Sequence, residues 1–421
     1  MNKLEEILED DNILYKAFLK SKNNRRYKMS SLIFEMNVFE NLRKIKKELL
    51  NKTYDVSKYT EFTVYEPKER VILACSFRDK IVQHLLCDNI LKDRFEEICI
   101  LDNYAAQKGK GTGFAKKRVK YQMEKFYSEF GMSGYIFKGD ISKYYYNINH
   151  EKAKQMMHYY FDKNVHWLID KFIDSTDGRG IALGNQINTI ISNLYLSGLD
   201  NLITKKLGYC YYGRYADDFF IFDNDKERLK NTSKIIKKYI NSLSLNLNPK
   251  SQIMPFKNGL KFIGFHFYIK NGNMMIRLDN SKKRSYRRKF NKMYKKVEAK
   301  ELEFEKLLVS YASWKSHVKF CTEHGIFNYY EKKIKELILK MTINEGYYVS
   351  ERTSSNIPVA KKDLNTFYLP VNVEKNEDGM YQYQEYRFNL PIDYNIPSDI
   401  IEYLAYELDK YRKSLEEVGV L

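Results

Sequence analysis

Residues 209–223 read YCYYGRYADDFFIFD, and the fold prediction depends on this stretch. Two runs rich in tyrosine and phenylalanine flank a short acidic segment, a pattern typical of a β-hairpin with an acidic turn. The adjacent carboxylates of Asp217 and Asp218 repel each other at such a turn unless a cation lies close to them. The stretch therefore predicts a metal-binding turn or an ordinary exposed acidic turn, and by itself it does not decide between them.

A second acidic position favours the metal interpretation. Residues 134–150, GYIFKGDISKYYYNINH, begin as a short apolar strand that ends at Asp140. Carboxylates at neighbouring strand ends of one sheet can hold two Mg²⁺ ions, as in enzymes that transfer phosphoryl or nucleotidyl groups. Mg²⁺ favours a few carboxylates together with phosphate oxygens. We therefore predict that Asp140, Asp217 and Asp218 form a site for two Mg²⁺ ions.

Hydrophobic spacing predicts secondary structure on both sides of these segments. Helices are expected over residues 1–50, 78–100, 186–206 and 224–243, and extended segments over 53–74 and 261–269, the last with Gly264 inside it. Strands that carry acidic ends, with helices between them, favour an α/β (α+β) fold. We expect a small antiparallel sheet backed by helices, with the metals at one edge of the sheet.

The chain is strongly basic, with 421 residues, a net charge of +18 and a pI near 9.3. This excess favours an anionic partner such as nucleic acid, and general solubility is the alternative. Residues 281–300 contain ten Lys or Arg and one Glu at helical spacing. We expect Arg287, Arg288 and Lys292 to contact nucleic-acid phosphates, unless this helix is simply solvated.

In sequence order, the quoted segments resemble the motifs of bacterial reverse transcriptases over most of residues 60–325. YADD at 215–218 resembles the family's YxDD box, and FKGDISKYYYNINH at 137–150 resembles the box with the first metal ligand. The resemblance implies a right-hand polymerase fold, two Mg²⁺ ions per active site, an RNA template, dNTP substrates and a DNA product. It adds Ile141 to the three aspartates as a metal ligand.

The resemblance also implies roles for further residues. In EPKERVI at 66–72, Lys68 and Arg70 are expected to contact the triphosphate, because cations suit phosphate. In LNLNPKSQI at 245–253, Lys250 is expected to protonate pyrophosphate. The template and nucleotide pocket is expected to use Gly184, Asn185 and Gln186. Tyr145 is expected to exclude a ribose 2′-hydroxyl, although the three tyrosines at 144–146 leave this assignment open by one position.

We predict four regions: 1–133 with N-terminal helices and fingers, 134–270 with the palm and part of the fingers, 271–345 with a basic thumb, and an extension of unknown role at 346–421. LKFIGFHF at 260–267 resembles a primer grip. The motifs are closest to the defence-associated or abortive-infection enzymes and to those of diversity-generating retroelements. We favour an antiviral defence role with a dedicated non-coding RNA, and a diversity-generating or intron-type enzyme is the alternative. A non-catalytic RNA-binding protein of polymerase fold and an RNA-dependent RNA polymerase also stay open.

The last segment differs in charge from the rest. Residues 351–421 carry a net charge of −5, so the segment is not expected to track phosphates. It contains Tyr381, Tyr383 and Tyr386, and an amphipathic helix is expected over 399–415. We hypothesise that it packs against the thumb or a neighbouring subunit and specifies an RNA or an assembly, with a plain packing extension as the alternative.

The sequence also bears on where the protein works. No apolar run reaches the roughly 20 residues of a membrane span, and the N-terminus does not resemble a secretory leader. Its five cysteines lack the spacing of a zinc site, and we expect reduced thiols. We therefore expect a cytoplasmic protein without a membrane partner, and leave open whether it forms a homo-oligomer.

Overall fold

A computed structural model describes residues 3–23, 25, 27–65, 69–322 and 325–344, with four two-residue strands beyond them. Internal contacts divide the chain into two compact units. The first comprises Met1–Tyr286 with His317–Glu323, and the second comprises Arg287–Ser316 with His324–Leu421. The four-region division expected from sequence stays a prediction.

The N-terminal part is helical, as the spacing of apolar residues predicts. It contains α1 (Lys3–Glu9), α2 (Asp11–Lys22), α3 (Met29–Met36) and α4 (Val38–Leu50). Asp10 caps α2 by accepting a hydrogen bond from the amide of Asn12 at 2.9 Å. Leu8, Phe18 and Ile45 are buried in the core of the first unit. These helices therefore assemble through their apolar faces.

A hairpin and a long helical stretch follow. The hairpin consists of β1 (Thr60–Val64) and β2 (Arg70–Ala74), and the helices are α5 (Phe77–Leu86), α6 (Lys92–Ile98) and α7 (Thr112–Phe130). Residues Cys87–Leu91 form a π-helical turn between α5 and α6. The extended segment expected over residues 53–74 thus contains a hairpin, and the helix expected over 78–100 is continuous over 77–98 with a π-helical turn inside it.

The central sheet contains β3 (Tyr135–Gly139), β4 (Tyr212–Tyr215), β5 (Asp218–Asp223) and β6 (Gln252–Pro255). Its strand order is β4-β5-β3-β6, and every neighbouring pair is antiparallel. The chain around it forms α8 (Tyr144–Asn147), α9 (His150–Tyr160), α10 (Lys163–Ile173), α11 (Gln186–Tyr195), α12 (Ser197–Asn201) and α13 (Lys226–Ser242). This mixture of helices and antiparallel sheet confirms the predicted fold class.

The two outer strands of the central sheet, β4 and β6, differ from each other in what lies along their free edges. On the outer side of β4, the amide of Arg214 donates to the carbonyl of Asp102 and the amide of Tyr104 donates to the carbonyl of Arg214, each at 2.9 Å. On the other side, β6 ends at Pro255, which has no amide hydrogen to donate. A short stretch of chain thus lies along one edge, and a proline ends the other.

The prediction of one continuous strand over residues 261–269 is wrong, because the chain reverses at Ile263 and Gly264. Two strands form instead, β7 (Leu260–Phe262) and β8 (Phe265–Lys270), and β9 (Asn273–Leu278) completes a three-stranded sheet. Ile263 and Gly264 have φ values of 47° and 87°, as a two-residue hairpin turn of this kind requires. Glycine adopts that conformation freely, whereas a β-branched residue adopts it at a cost in strain.

The C-terminal part begins with α14 (Asn280–Glu298), α15 (Phe304–Val318) and α16 (Asn328–Asn344). In the second unit, the ring of Tyr330 lies 5.0 Å from Phe290 and 4.7 Å from Trp314, between ring centroids. Beyond α16, β10 (Val349–Ser350) pairs with β11 (Val359–Ala360), and β12 (Glu374–Lys375) pairs with β13 (Tyr381–Gln382). Tyr383, Tyr386 and the helix expected over 399–415 lie outside the described residues.

The length and apolarity of the helices bear on membrane insertion. None of those in the described part of the chain is both long enough and apolar enough to cross a membrane.

Candidate active site

Asp140 follows β3 directly, and the sheet places it beside the hairpin. Gly139 of β3 pairs with Phe219 of β5 in an antiparallel register, so one further step places Asp140 opposite Asp218. Gly139 is required here, because a Cβ atom at this position would lie 2.2 Å from the Phe219 ring. The strand end and the hairpin thus bring two carboxylates together, as the sequence predicts.

A surface loop fixes the carboxylate and the backbone of Asp140. The side-chain amide of Asn248 donates to Oδ2 of Asp140 at 2.8 Å, and its main-chain amide donates to the carbonyl of Asp140 at 2.8 Å. The amide of Asp140 donates to Oγ of Ser251 at 3.1 Å. Residues 246–251, which we call the Asn248 loop, therefore orient the first predicted metal ligand.

Asp217 lies in the turn of the hairpin. Tyr215 pairs with Asp218, so Ala216 and Asp217 form a two-residue turn, and Ala216 has a φ of 54°. Positive φ is costly for alanine, because its Cβ crowds the backbone. The guanidinium of Arg214 donates from NH1 to the Ala216 carbonyl at 2.9 Å. The turn that carries Asp217 is therefore strained, and a side chain from the preceding strand supports it.

The carboxylates of the hairpin lie in an environment that disfavours their charge. Burial raises the pKa of Asp217, and the charge of Asp140 raises it further, whereas Arg70 and Arg214 lower it. Burial raises the pKa of Asp218 to about 6, against the opposing effect of Lys138 and with added repulsion from Asp140 and Asp217. Three negative groups therefore share one small region, where a cation is favoured.

Lys138 supplies one positive charge to this region. Its ammonium group donates to both carboxylate oxygens of Asp218, at 2.7 and 2.9 Å. The same ammonium lies 5.4 Å from the ring centroid of Phe262 in β7, within the range of a cation–π contact. Asp218 thus has an internal cationic partner, and the two Lys138 contacts connect the central sheet to β7.

The donor set fits a hard divalent cation. Its members are carboxylate oxygens and, at Ile141, the main-chain carbonyl, because isoleucine has no side-chain donor. Ile141 forms an isolated antiparallel bridge with Leu247, so its backbone is held beside Asp140. Among the described residues, no three His, Cys, Asp or Glu side chains converge on one ion. A magnesium site completed by substrate phosphates and water does not require such a cage.

The three tyrosines of the predicted sugar gate occupy different environments. Tyr144 is buried and donates to the carbonyl of Ser192, whereas Tyr146 is 49% exposed. Tyr145 is partly buried, and its hydroxyl accepts a hydrogen bond from Oγ of Ser192 at 3.0 Å. Burial raises the pKa of Tyr145, and the charge of Asp217 contributes to the rise. Of the three, Tyr145 is the partly accessible ring beside the acidic turn.

The predicted nucleotide-pocket residues lie at the start of α11. Gly184 has a φ of 104°, and a Cβ atom at this position would lie 3.7 Å from a methyl group of Ile72. The side chain of Asn185 donates to the Tyr59 hydroxyl at 3.2 Å, and that of Gln186 donates to Asp88 at 3.2 Å. The two polar side chains thus contact the N-terminal part of the chain, and their role in substrate binding stays a prediction.

The predicted phosphate-binding residues are spread more widely. Arg70 is exposed at the start of β2, and its charge acts on Asp217. Lys68 lies outside the described residues. Lys250 is exposed in the Asn248 loop, where its amide donates to Oδ1 of Asn248 at 3.0 Å. Arg70 and Lys250 thus come from opposite parts of the sequence to the neighbourhood of the aspartates.

The predicted nucleic-acid contacts on α14 belong to the second unit. Arg287, Arg288 and Lys292 are exposed, and the buried residues Phe290 and Tyr294 lie among them in sequence. The guanidinium of Arg287 lies 4.1 Å from the ring centroid of Tyr329, so one face of that cation is already in use. The helix is therefore amphipathic, with its cations on the exposed side.

Several residues of the site were not assigned a role from the sequence. Lys138, Arg214 and the pair Asn248 and Ser251 all lie inside quoted motifs, yet they were missed. A usable signal was present for Arg214, because an arginine inside an aromatic strand requires a buried partner. That partner is Asp200, whose Oδ2 lies 2.5 Å from NH2 of Arg214.

Carboxylates at adjoining strand ends of an antiparallel sheet are compatible with a two-metal site for phosphoryl or nucleotidyl transfer. The family model of the reverse transcriptase (RNA-dependent DNA polymerase) matches residues 57–267, just over half of the chain. The chain therefore belongs to the reverse transcriptase family, whose enzymes use divalent metal ions.

A solved structure of apo telomerase from Candida tropicalis, truncated from its C-terminal domain, is similar in part. It is 13% identical with a TM-score of 0.40, and the match covers 55% of this chain and 58% of that chain. The present chain thus matches little more than half the length of that telomerase. No curated protein matches the chain.

Proposed function

We propose that the protein is an RNA-directed DNA polymerase that adds dNTPs to a 3′ end on an RNA template. One observation carries the proposal: the sheet register places Asp140 opposite Asp218, with Asp217 in the adjoining turn. Membership of the reverse transcriptase family supports the same reaction. The basic charge of the chain, +18 overall, agrees with a nucleic-acid partner.

The carboxylates of Asp140, Asp217 and Asp218, with the main-chain carbonyl of Ile141, would hold two Mg²⁺ ions. When bound, the ions acidify the primer 3′-hydroxyl and neutralise the triphosphate and the departing pyrophosphate. The hydrogen bond from Asn248 would keep the Asp140 carboxylate in a fixed orientation for metal binding. Lys138 reduces the repulsion among the three carboxylates through its contact with Asp218.

Cationic side chains handle the phosphates in this proposal. Arg70 binds the triphosphate together with Lys68, because a guanidinium can donate two parallel hydrogen bonds to phosphate oxygens. The influence of Arg70 on Asp217 supports a position close to the carboxylates. Lys250 donates a proton to pyrophosphate as it departs. Gly184, Asn185 and Gln186 contribute the turn at which template and nucleotide meet.

Tyr145 selects deoxyribose by occupying the space that a 2′-hydroxyl would need. Its partial burial beside Asp217 supports this assignment over Tyr144, which is buried, and Tyr146, which is exposed. The hydrogen bond from Ser192 fixes the hydroxyl end of the ring.

Primer extension on an RNA template tests the reaction. Asp217→Ala and Asp218→Ala should each abolish dNTP incorporation and leave RNA affinity nearly unchanged, because affinity comes mainly from phosphate neutralisation. Asp93→Ala removes an exposed carboxylate on α6 and serves as the matched control. Extension by the Asp217 and Asp218 double variant in Mg²⁺ would show that the active site lies elsewhere.

The choice of nucleotide separates the rival polymerase. Tyr145→Val should raise rNTP incorporation relative to dNTP incorporation, while Tyr146→Val, the neighbouring control, should leave the ratio unchanged. Preference of the wild-type enzyme for NTPs would favour an RNA-dependent RNA polymerase. Absence of any incorporation, with tight RNA binding, would favour the non-catalytic RNA-binding protein.

The exposed cations of α14 contact the phosphates of the bound nucleic acid. Reversal of Arg287, Arg288 and Lys292 to Glu should weaken binding and lower the salt slope by on the order of 1 per lost contact. Reversal of Lys234, Lys237 and Lys238 on α13 gives a control with the same change in charge. Equal slopes in the two variants would place α14 away from the nucleic acid.

For the biological role, we propose a bacterial antiviral defence enzyme that copies a dedicated non-coding RNA. The resemblance of its motifs to defence-associated enzymes supports this role, and a diversity-generating or intron-type enzyme is the alternative. Residues 346–421, with their acidic charge, are proposed to help specify the RNA or an assembly with further copies. Sequencing the RNA and DNA that co-purify with the intact protein tests the role, and a mixture of unrelated RNAs would contradict it.

A further inference from the structure

A fully buried charge of the first unit lies directly before the acidic turn. The side chain of Arg214 on β4 is fully buried, with 0% exposure, and Asp200 on α12 is buried with it. Nε and NH2 of Arg214 donate to the two oxygens of Asp200 at 2.7 and 2.5 Å. NH2 also donates to the carbonyl of Asn193 at 3.1 Å. These contacts fix the plane of the guanidinium.

The remaining contact of the guanidinium leads to the predicted metal ligands. NH1 donates to the carbonyl of Ala216, the residue immediately before Asp217. Ala216 has a φ of 54°, a conformation that alanine disfavours and that must be stabilised by its surroundings. A hydrogen bond to its carbonyl fixes the peptide plane that leads into Asp217. The orientation of that carboxylate therefore depends on Arg214.

Asp200 is tied into the same arrangement from a second side. The hydroxyl of Tyr212, also on β4, donates to Oδ1 of Asp200 at 2.6 Å. A buried ion pair is a weak source of net stability, because desolvation of both charges opposes their attraction. Buried ion pairs can often be replaced by apolar side chains without loss of stability, whereas the donation to Ala216 needs a hydrogen-bond donor at this position. The arrangement is therefore better explained by the turn than by the core.

We propose that Arg214 is a positioning residue for nucleotidyl transfer, which holds the Ala216–Asp217 turn in the geometry that binds divalent cations, with Asp200 fixing its guanidinium. The proposal rests on the function proposed above. It assigns to the strand before the acidic turn a role distinct from that of the aspartates, because Arg214 reaches the turn through its hydrogen bond to the carbonyl of Ala216.

The test compares variants that fold but lose this donation. Arg214→Lys keeps a charge beside Asp200 but lacks the planar fork that reaches two partners at once. We expect about tenfold to 100-fold slower dNTP incorporation at unchanged dNTP KM, and about tenfold weaker Mn²⁺ binding to the protein without nucleic acid, measured by paramagnetic resonance. RNA affinity should be unchanged. Arg228→Lys, whose arginine pairs with Asp223 and the carbonyl of Leu207, is the matched control.

A second variant separates the loss of this hydrogen bond from a loss of folding. The triple substitution Arg214→Met, Asp200→Leu and Tyr212→Phe replaces the buried polar group by apolar side chains, which usually preserves folding. It should melt like the wild type yet lose Mn²⁺ affinity as Arg214→Lys does. Ala216→Gly relieves the strain of the turn, so adding it to Arg214→Lys should restore part of the Mn²⁺ affinity and the rate.

The outcomes separate the two proposals. Wild-type Mn²⁺ affinity in both the lysine variant and the folded triple variant would overturn the positioning role. Loss of Mn²⁺ affinity without recovery by Ala216→Gly would also overturn it, since the turn would then not be the route. A wild-type protein that binds Mn²⁺ but incorporates no dNTP would contradict the proposed polymerase and leave the Mn²⁺ comparison readable.

Discussion

The predicted metal ligands lie at two corners of the central sheet, the end of β3 with Asp140 and the β4–β5 turn with Asp217. These corners are stabilised in different ways. Asp140 is oriented by hydrogen bonds from the Asn248 loop at the surface. The turn with Asp217 accepts a hydrogen bond from Arg214, which forms a buried ion pair with Asp200. Loop hydrogen bonds can be replaced by water, whereas a buried charge that loses its partner has no substitute. Substitutions that break the Asn248 contacts should therefore cost less folding stability than substitutions that break the buried pair.

The largest expected difference is in stability. Asp200→Ala leaves Arg214 buried without its carboxylate, which should cost about 3–5 kcal/mol in the free energy of unfolding. Asn248→Ala removes one side-chain hydrogen bond in a surface loop, which should cost about 1 kcal/mol in the same free energy. Urea unfolding followed by circular dichroism compares the two. Equal losses would show that burial of the ion pair does not distinguish the corners.

The next effect is on catalysis at the Asp140 corner. Asn248→Ala and Ser251→Ala leave Asp140 in place but free to turn, so the rate of dNTP incorporation should fall about 10–100-fold. Raising the Mg²⁺ concentration should restore much of the rate, because the carboxylate itself is intact. Steady-state primer extension over a Mg²⁺ series measures this. A rate that stays low at every Mg²⁺ concentration would mean that the loop does more than orient Asp140.

A pH profile tests the charge at the hairpin corner. Burial raises the pKa of Asp218 to about 6, and only its ionised form can hold a metal. At low Mg²⁺ the rate should fall about tenfold per pH unit below roughly pH 6, since protonation removes the ligand. Higher Mg²⁺ should shift the midpoint to lower pH, because metal and proton compete for the carboxylate. A midpoint independent of Mg²⁺ would assign the titration to another group.

The smallest expected effect is a gain in stability. Because burial and Asp140 raise the pKa of Asp217, ionisation of its carboxyl lowers folding stability as pH rises above the ordinary carboxyl range. Asp217→Asn removes that charge and should stabilise the metal-free protein by about 1 kcal/mol at pH 8. Asp140→Asn keeps an acceptor for Asn248 and relieves only the repulsion among the carboxylates, so its gain in stability should be smaller. Thermal melts in a chelator decide this, and a loss of stability in Asp217→Asn would contradict it.

Local patterns were sufficient to predict that the three aspartates lie at a strand end and at a hairpin turn. An apolar strand followed by Asp140, and aromatic strands around Asp217 and Asp218, required only neighbouring residues to be interpreted. The hairpin at Ile263 and Gly264 was missed because KFIGFHFYI has the apolar content of a single strand, and isoleucine is a rare turn residue. Gly264 alone could equally have indicated a bulge.

The supporting contacts could not be obtained in the same way. Asp200 on α12 and Arg214 on β4 are separated by a π-helical segment (Leu202–Lys206) and a short connection, so their pairing depends on how α12 packs against β4. The contact of Asn248 with Asp140 joins residues more than a hundred positions apart. The side chains of Asn185 and Gln186 contact Tyr59 and Asp88, which their motif does not include. Long-range pairing of polar groups requires the assembled fold.

The contacts along the edges of the central sheet also bear on how the protein avoids self-association during synthesis. The strand FFIF within β5 has the composition of an aggregation-prone segment, but it lies inside the sheet. The chain at Asp102 and Tyr104, which covers the outer edge of β4, precedes that strand in sequence and so leaves the ribosome first. The hairpin can thus be covered as soon as it forms, and Pro255 hinders pairing of another chain with β6. Pro255→Val should therefore lower the yield of soluble protein more than it lowers the rate of dNTP incorporation by the folded protein.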